Sequence, residues 1–209
     1  MQARRTAREL ALLGMSQLPS APERLETQEI EDIVLAAVRT LTLEGQESLE
    51  TAMAELQRGN DRLLSSQTRA ADLPSARTMV GEAIALAQVA INRLGTAVEL
   101  PELIQLAKQE DVRSYAVEIL MTINNNREAI DGTLEGAMVD WQLNRLPRID
   151  RDILRIATAE LLHLGAKEQI AVNEAVELAK RYGDEDSYRF INGVLRRVVD
   201  RLKAESRPF

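Results

Sequence analysis

The spacing of apolar residues limits the fold of this chain more than any other feature. Apolar residues recur at intervals of three and four along nearly all of the 209 residues, and alternating strand patterns are absent. Glycine and proline fall between the periodic segments. The pattern predicts helices at about 3–17, 28–43, 102–108, 111–125, 127–144, 148–164, 170–182 and 186–204, the first of them closed by Pro19 and Pro22. The expected fold class is therefore all-α.

The segment between residues 46 and 100 carries two apolar stripes that step by four and three residues. The first stripe is Leu49, Met53, Leu56, Asn60 and Leu63, and the second is Val80, Ile84, Ala87, Ile91 and Leu94. A link at about 67–77, which contains Asp72 and Pro74, separates them. The spacing predicts a helical hairpin with a coiled-coil-like seam, although a helix packed on a globular core has much the same pattern.

The C-terminal half contains the clearest helix-end signals and all the aromatic side chains. Gly165 and Gly183 are predicted just past helix ends in the left-handed conformation, and Asp184 and Asp186 are predicted N-caps of the last helix. The six aromatic residues are Tyr115, Trp141, Tyr182, Tyr188, Phe190 and Phe209. We therefore expect the best-packed core in this half, and we interpret the aromatic-free hairpin as an addition.

Composition excludes several classes of chemistry. The chain has no cysteine and one histidine, His163, so thiolate metal sites and two-histidine sites are impossible. No phosphate-binding glycine loop is present. We therefore predict a protein without catalytic residues, metal or cofactor. No secretory signal is visible, nor any stretch approaching about 18 uncharged apolar residues, so the predicted location is the cytoplasm, away from membranes.

The beginning of the chain is basic, although the whole chain has a formal charge of −7. The first acidic residue is Glu9, and Arg4, Arg5 and Arg8 precede it. Arg4 and Arg8 lie one helical turn apart on the same face. Their guanidinium groups suit phosphate because each donates two parallel hydrogen bonds. The segment is therefore a candidate nucleic-acid site, although an ordinary solvated helix start would carry the same residues.

Two C-terminal segments combine charged residues with neighbours that can bind a ligand. In "RIDRDILRIATAELL", Arg148 and Asp152 can pair across one helical turn, as expected of a salt-bridged exposed face. In "AVNEAVELAKRYGDEDSYRFINGVL", Tyr188, Arg189 and Phe190 fall in the first turn of the last helix. An aromatic ring beside an arginine at a helix N-terminus can stack a base and contact a phosphate, whereas Phe190 could equally be a core residue.

These two segments, together with the opening "RRTARELAL", resemble the bacterial NusB family of transcription antitermination factors. The resemblance covers about residues 3–18 and 111–200 and implies an all-helical fold of two small helical subdomains. NusB proteins bind the boxA element of nascent ribosomal-RNA leader transcripts as a heterodimer with NusE, a small-subunit ribosomal protein. The complex helps RNA polymerase to read through terminators. The resemblance therefore implies three partners, which are boxA RNA, NusE and the RNA polymerase antitermination complex, and a role in binding rather than catalysis.

The resemblance also assigns binding residues. Arg4, Arg5 and Arg8 fall on the family's RNA-binding arginines. Further candidates follow from their places in the two C-terminal segments. For RNA these are Arg151, Arg189 and Phe190, and for RNA or NusE they are Asp150 and Asp186.

The resemblance implies a division of the chain as well, because the region from about 43 to 101 has no counterpart in shorter members of the family. The first and second helices would occupy residues 1–45, an inserted helical hairpin 46–100, and the NusB helical core 101–209. Some members of the family associate with themselves through the first helix, so a homodimer of that kind is a further expectation.

Two other functions are alternatives to antitermination. Some ribosomal-RNA methyltransferases carry a NusB-like helical domain, but such an enzyme needs a glycine-rich cofactor loop, and this sequence has none. The fold could instead serve as a protein-binding module that has lost RNA binding. Thr6 and Ser16 support that alternative, because the family's first helix often has a basic and an aromatic residue at these places.

Overall fold

The computed structural model describes residues 2–18, 25–139 and 141–205, and within these ranges it contains helices and no strands. The α-helices are α1 Gln2–Met15, α2 Thr27–Thr68, α3 Leu73–Ala107, α4 Glu110–Asn125, α5 Arg127–Ala137, α6 Arg148–Leu162, α7 Glu168–Tyr182 and α8 Ser187–Glu205. A short 3-10 turn, Leu143–Arg145, precedes α6. The predicted all-α class is confirmed. Pro19, Pro22 and Phe209 lie outside the described residues.

Two compact units share the chain. The first consists of Met1–Ala37 and Ala107–Phe209, and the second is Val38–Leu106. The helices run through the predicted divisions, because α2 continues past Gly45 and α3 continues past Pro101. The predicted separate helices at 28–43 and 102–108 are therefore wrong, and the divisions at 45 and 100 stay predictions. Gly45 signals a helix end in the sequence, but here it lies inside α2, where a side chain would meet Leu100 at 3.3 Å.

In the first unit, α6 packs against α1, α4, α5, α7 and α8. Fully buried aliphatic side chains come from all of these helices, among them Leu10, Ile119, Ile130, Ile153, Ala179 and Val194. Within the described residues, Tyr115 is the only aromatic side chain in this core. The best-packed core lies mainly in the C-terminal half, as expected, although aliphatic side chains fill it and Trp141 is exposed.

The two glycines predicted at helix ends differ in conformation. Gly165 has a φ of +64°, the predicted left-handed value. Gly183 has a φ of −91° and an extended ψ of 176°, so the left-handed prediction is wrong there. Gly183 is required for space instead, because an added Cβ would lie 2.6 Å from the Cβ of Ser187. The side-chain cap of this turn also comes from Ser187, whose Oγ accepts the N–H of Asp184.

The second unit is a helical hairpin in which small residues form the contact between the two helices. Gly59 of α2 lies against Ala83 of α3, so closely that an added Cβ would sit 3.2 Å from the Ala83 carbonyl oxygen. Ala52 and Ala90 are fully buried. The predicted stripes do not form the seam, because their large side chains, such as Met53 at 71% exposure, stay in solvent. Small residues allow the backbones to approach more closely than leucine or isoleucine would.

Helix α3 meets the length and composition of a membrane-spanning segment, with a mean hydropathy of 1.2 over an 18-residue window of which 19% is buried. The expectation that no stretch approaches about 18 uncharged apolar residues still holds, because charged residues interrupt this helix. Glu82 and Arg93 lie in the middle of this helix. One helix of this kind is weak evidence for a membrane span, because helices of soluble proteins can meet the same criteria of length and composition.

Candidate nucleic-acid interface

Arg8 lies in the interior of the first unit and pairs with Glu160 of α6. Its Nε lies 2.8 Å from Glu160 Oε2, and its Nη2 lies 2.8 Å from Oε1. The Arg8 side chain is 5% exposed because it shares the inward side of α1 with Ala7 and Ala11. The bidentate pair neutralises both charges away from water. It joins α1 to α6 and leaves Arg8 without an open face for a phosphate.

Tyr115 of α4 extends this network to Arg4. The Tyr115 hydroxyl donates a hydrogen bond to Glu160, and the Arg4 guanidinium carbon lies 3.6 Å from the centroid of the Tyr115 ring. Arg4 is exposed and makes no ion pair with the residues that the structure describes. The aromatic ring therefore orients an arginine whose N–H donors remain accessible.

The same contacts perturb Tyr115 itself. Burial, reinforced by the hydrogen bond to Glu160, raises the pKa of Tyr115 to about 12. Protonated Tyr115 therefore contributes stability that is fully present below about pH 10 and is lost as the pH rises through about 12. We expect one tyrosine to ionise near pH 12 in an absorbance titration at the tyrosinate band, and this step to disappear in Tyr115→Phe. Ionisation of all tyrosines together near pH 10 would contradict the buried hydrogen bond.

Two further charged residues of α1, Arg5 and Glu9, form ion pairs with residues of α7. Arg5 donates two hydrogen bonds to Glu174 of α7, with its Nε 3.0 Å from Oε2 and its Nη2 2.9 Å from Oε1. Glu9 accepts a hydrogen bond from Arg181 Nη1 at 2.9 Å. Burial raises the pKa of Glu9, and Arg181 opposes the shift. A cavity of about 270 Å³ beside Arg5 has three acidic and three basic residues in its lining, namely Glu9, Glu174, Glu177, Arg5, Lys180 and Arg181.

At the other end of α6, Arg148 holds the C-terminal end of α1. Its Nη2 donates to the carbonyl oxygens of Met15 and Ser16, at 3.2 and 2.9 Å. These carbonyls lack partners within α1, and a cation also suits the negative end of the helix dipole. The predicted pair of Arg148 with Asp152 is present at 3.6 Å. Helix α1 is therefore fixed to α6 at both ends, by Arg148 here and by Glu160 at the far end.

Asp150 lies in the first turn of α6, beside the turn that precedes α8. It is 5% exposed and hydrogen-bonds to Ser187, while its Oδ1 has no hydrogen-bond partner in the described part of the protein. Burial raises the pKa of Asp150, the Ser187 hydrogen bond lowers it, and the nearby Asp184 raises it further. An acidic group with an unused acceptor costs free energy in the isolated protein. Because this oxygen exposes less than 1 Å², a donor from a partner reaches it only when the surrounding side chains move.

An exposed aromatic pair lies near the beginning of α8. The rings of Trp141 and Phe190 meet edge to face, with centroids 5.8 Å apart and an interplanar angle of 64°. Trp141 is 59% exposed and Phe190 is half-buried, so Phe190 is not a core residue. Arg189, the neighbour of Phe190 in the sequence, is exposed; its guanidinium carbon lies 5.4 Å from the centroid of the Tyr188 ring, and it forms a surface ion pair with Asp186 at 3.1 Å. The arrangement offers aromatic faces for stacking and a cation for phosphate.

The predicted site residues form two groups at opposite ends of α6. Arg4, Arg5 and Arg8 lie on α1, which Arg8 joins to Glu160 at one end of α6. Asp150, at the other end, hydrogen-bonds to Ser187 at the start of α8, the helix that carries Arg189 and Phe190 and that Asp186 precedes. The ten-residue separation of Asp150 and Glu160 along α6 corresponds to about 15 Å. Arg151 is half-buried in the first turn of α6. A ligand that touched both groups would have to be extended, as a single strand of several nucleotides is.

Sequence reasoning missed Trp141, Tyr115 and Glu160 as members of these groups. Trp141 was placed inside a helix predicted at 127–144, whereas α5 ends at Ala137 and leaves the tryptophan in an extended segment. The apolar spacing continues beyond Ala137, so the sequence contains no local signal of this helix end. Glu160 carried no signal, because nothing in its local pattern distinguishes a buried carboxylate from a solvated one.

Comparisons with known proteins agree over nearly the whole chain. A sequence profile of the NusB family matches residues 74–200, more than half of the protein. The transcription antitermination protein NusB of Trichodesmium erythraeum (strain IMS101) is 61% identical over 199 residues, which cover 95% of this chain and 96% of that protein. The NusB of Microcystis aeruginosa (strain NIES-843 / IAM M-2473) is 60% identical over 201 residues, covering 96% of this chain and 93% of that one. That of Nostoc punctiforme (strain ATCC 29133 / PCC 73102) is 61% identical over 202 residues, covering 94% and 95%. The chain belongs to the NusB family of transcription antitermination factors.

Proposed function

We propose that this protein binds boxA-type single-stranded RNA of ribosomal-RNA leader transcripts together with NusE and thereby helps RNA polymerase to read through terminators. It acts by binding and not by catalysis, in the cytoplasm where transcripts are made. The exposed Trp141–Phe190 pair beside Arg189 is the observation that supports this proposal most directly. Unpaired bases stack on exposed aromatic rings, and an adjacent guanidinium can hold the phosphate that follows.

The three arginines of α1 have different roles in this proposal. Arg4 contacts a phosphate, because Tyr115 orients it and no carboxylate neutralises it among the described residues. Arg5 reaches RNA only by exchanging Glu174 for a phosphate, which its half-exposed side chain permits. Arg8 positions α1 through Glu160 and does not touch RNA. Arg151 and Arg189 supply further cations at the other end of α6.

The acidic residues suit the protein partner. NusE is a ribosomal protein, and a basic surface on it would complement a chain of net charge −7. Asp150 has an acceptor oxygen without a hydrogen-bond partner, and Asp186 is exposed at the beginning of α8. We assign both to NusE rather than to RNA, because a phosphate would be repelled by either carboxylate.

The direct test is a fluorescence-anisotropy titration of labelled boxA-type RNA at physiological salt, with a scrambled RNA as control, in the presence and absence of NusE. We expect a preference for boxA that becomes stronger when NusE is present. Binding of NusE without any preference for boxA would reject the RNA function. It would support instead the protein-binding module, which the engagement of Arg5 and Arg8 with Glu174 and Glu160 already favours as the second candidate.

The role of Arg4 gives a sharper prediction in the same assay. Arg4→Ala should weaken RNA binding and reduce the slope of log affinity against log salt concentration by about 0.7, the value for one phosphate contact on a single strand. Arg196→Ala is the matched control, because Arg196 is exposed on α8 of the same unit, far in sequence from Arg4 and about 9 Å along the helix beyond Phe190. Equal effects of the two substitutions would mean that net charge, and not Arg4, determines affinity.

Self-association through α1 stays a prediction. Nine of the fourteen residues of α1 are buried within the protein's own fold. The helix therefore offers a partner only a narrow exposed strip, which includes Arg4 and Arg5. A dimer through this strip would cover the arginines and would compete with RNA.

A further inference from the structure

The second unit exposes a wide apolar face on one side of the hairpin. In this face, large residues follow the small residues of the seam by one position: Met53 follows Ala52, Ile84 follows Ala83, and Ile91 follows Ala90. These three side chains are 71, 56 and 63% exposed. We define the apolar face as Leu49, Met53, Leu56, Asn60, Leu63, Val80, Ile84, Ala87, Ile91, Leu94 and Val98.

The antiparallel course of the two helices places these residues together. Gly59 lies against Ala83, and Gly45 lies against Leu100, so residue numbers rise along α2 as they fall along α3. In two helices of the same hand that run in opposite directions, residues displaced by one position from the seam turn toward the same side. The stripes of α2 and α3 therefore form one continuous surface rather than two separate ones.

The two sides of the hairpin differ in charge. No residue of the apolar face is charged, and Asn60 is its polar exception. The opposite side carries ions, including Arg58, which pairs with Glu55, and Glu82, which pairs with Arg62. The hairpin is thus amphipathic as a whole, with most of its large apolar side chains in solvent and mainly small ones in its own seam, where Leu100 against Gly45 is an exception.

The area of the apolar face can be compared with the area that specific protein–protein interfaces bury. Its stretches of 15 and 19 residues on two adjacent helices cover about 25 Å by 20 Å, on the order of 500 Å². That area lies in the range of the largest apolar patches that soluble monomers expose. Two such faces in contact would bury at least about 1,000 Å², the area from which specific interfaces begin.

We propose that the apolar face binds the same face of a second copy of this protein, so that two hairpins form a four-helix bundle. In a twofold contact each copy presents the same surface to the other. Because this surface is uncharged, its burial desolvates no charge and brings no like charges together. A two-helix hairpin is half of such a bundle, and each of its helices already has a second apolar stripe for the missing core. The small-residue seam buries little apolar area by itself, so pairing supplies most of the burial of this unit.

Other occupants match this surface less well. Nucleic acid needs cations, and the face has none. A basic protein needs carboxylates, and these lie on the opposite side. Membrane-bound amphipathic helices are rich in lysine and arginine beside the apolar stripe, whereas the polar side of this hairpin mixes arginines with carboxylates, and Arg58 and Arg62 are paired with Glu55 and Glu82.

Sedimentation velocity of the full chain from about 1 to about 100 µM, the concentration range of many homodimers, tests the proposal. We expect a dimer, and we expect Ile91→Glu to weaken it at least about 100-fold, because each copy would bury an unpaired charge. Met53→Glu tests the same face from α2. The matched control is Val89→Glu, an exposed β-branched apolar position two residues before Ile91 but on the polar side of α3, with 42% exposure against 63% for Ile91.

A gain of affinity provides an independent readout. Asn60→Leu should strengthen the dimer several-fold, because it replaces the polar group of the interface with an apolar one. Circular dichroism would verify that each variant is folded. We expect folding to be retained, because the substituted positions are exposed on helices. The RNA affinity of Ile91→Glu should equal that of the unsubstituted protein, so the dimer and the RNA function can fail independently.

Four results would overturn the proposal. These are a monomer at every concentration, a dimer that Ile91→Glu leaves intact, equal weakening by Val89→Glu and Ile91→Glu, and binding of the monomer to lipid vesicles that Ile91→Glu abolishes. The second result would point to association through α1, and the fourth to a membrane surface.

Discussion

Replacing Arg8 with methionine should destabilise the first unit by about 3–5 kcal/mol, the usual cost of removing one member of a buried ion pair. The substitution leaves Glu160 buried at 1% exposure, with the Tyr115 hydroxyl still donating to it but without a cation. An uncompensated carboxylate in this position disfavours the docking of α1 on α6 and α4. Urea unfolding followed by far-UV circular dichroism measures the loss.

Two further variants identify the cause of that loss. Arg5→Met removes a pair whose arginine is half-exposed, and it should cost less than about 1 kcal/mol. The double variant Arg8→Met/Glu160→Gln should recover most of the stability, because the amide is neutral and still accepts the Tyr115 hydrogen bond. Equal losses from Arg8→Met and Arg5→Met would show that the Arg8–Glu160 pair is not a buried determinant of stability.

The result also decides how RNA measurements on Arg8 are interpreted. A weakened RNA affinity in Arg8→Met that returns in Arg8→Met/Glu160→Gln would identify Arg8 as a positioning residue. The double variant has no arginine at this place, so recovery cannot come from a phosphate contact. Failure to recover in a variant that is fully folded would place Arg8 in the RNA interface after all.

The second large effect is expected at the exposed aromatic pair. Trp141→Ala and Phe190→Ala should each weaken boxA binding about 5- to 150-fold, which corresponds to the loss of about 1–3 kcal/mol for one stacked base. The salt dependence of binding should stay unchanged in both variants, because stacking involves no phosphate. That pattern is the opposite of the one expected for Arg4→Ala.

Two controls separate stacking from packing. Phe190→Leu keeps an apolar side chain against Trp141 but has no ring, and it should bind RNA as weakly as Phe190→Ala. Ile170→Ala removes an exposed apolar side chain elsewhere on the first unit and should have no effect. RNA affinity in Phe190→Leu equal to that of the unsubstituted protein would exclude a stacked base at this position.

The helices of the first unit could be predicted well because their apolar residues face one core. The predicted 111–125, 148–164, 170–182 and 186–204 agree with α4, α6, α7 and α8 to within two residues at each end. The 3.6-residue period and the residues around Gly165 and Pro147 are local signals. The end of α5 at Ala137 was not predictable in the same way, because the apolar spacing continues beyond it.

The roles of the arginines depended on distant residues and could not be derived from their own segment. Arg8 is separated from Glu160 by 152 positions, and Arg5 from Glu174 by 169. A basic cluster at the beginning of a chain has the same sequence whether its charges face solvent or carboxylates. Only the packing of α1 against α6 and α7 distinguishes Arg4, which keeps accessible donors, from its two neighbours.

The hairpin shows a different limit, because the apolar stripes were recognised but assigned to the wrong contact. Large residues at heptad spacing predict a coiled-coil seam, and Gly59 and Ala83 one position earlier follow the same spacing. The spacing of residues alone cannot show which of two adjacent stripes on a helix, the large-residue one or the small-residue one, forms the contact between the helices. The choice depends on how closely the backbones approach, which glycine and alanine favour.

The small-residue seam also determines what sets the axial alignment of α2 with α3. Leucine knobs in matching holes resist sliding, whereas alanine and glycine surfaces are smooth and resist it little. Alignment must then come from a polar contact between the helices, in which Arg62 of α2 pairs with Glu82 of α3 at 2.9 Å, and from the fixed start of α3, where Asp72 accepts the N–H of Ser75 at 2.8 Å. The length of the connection between α2 and α3 therefore determines the axial alignment of the two helices, a role that interlocking side chains have in a leucine-rich coiled coil.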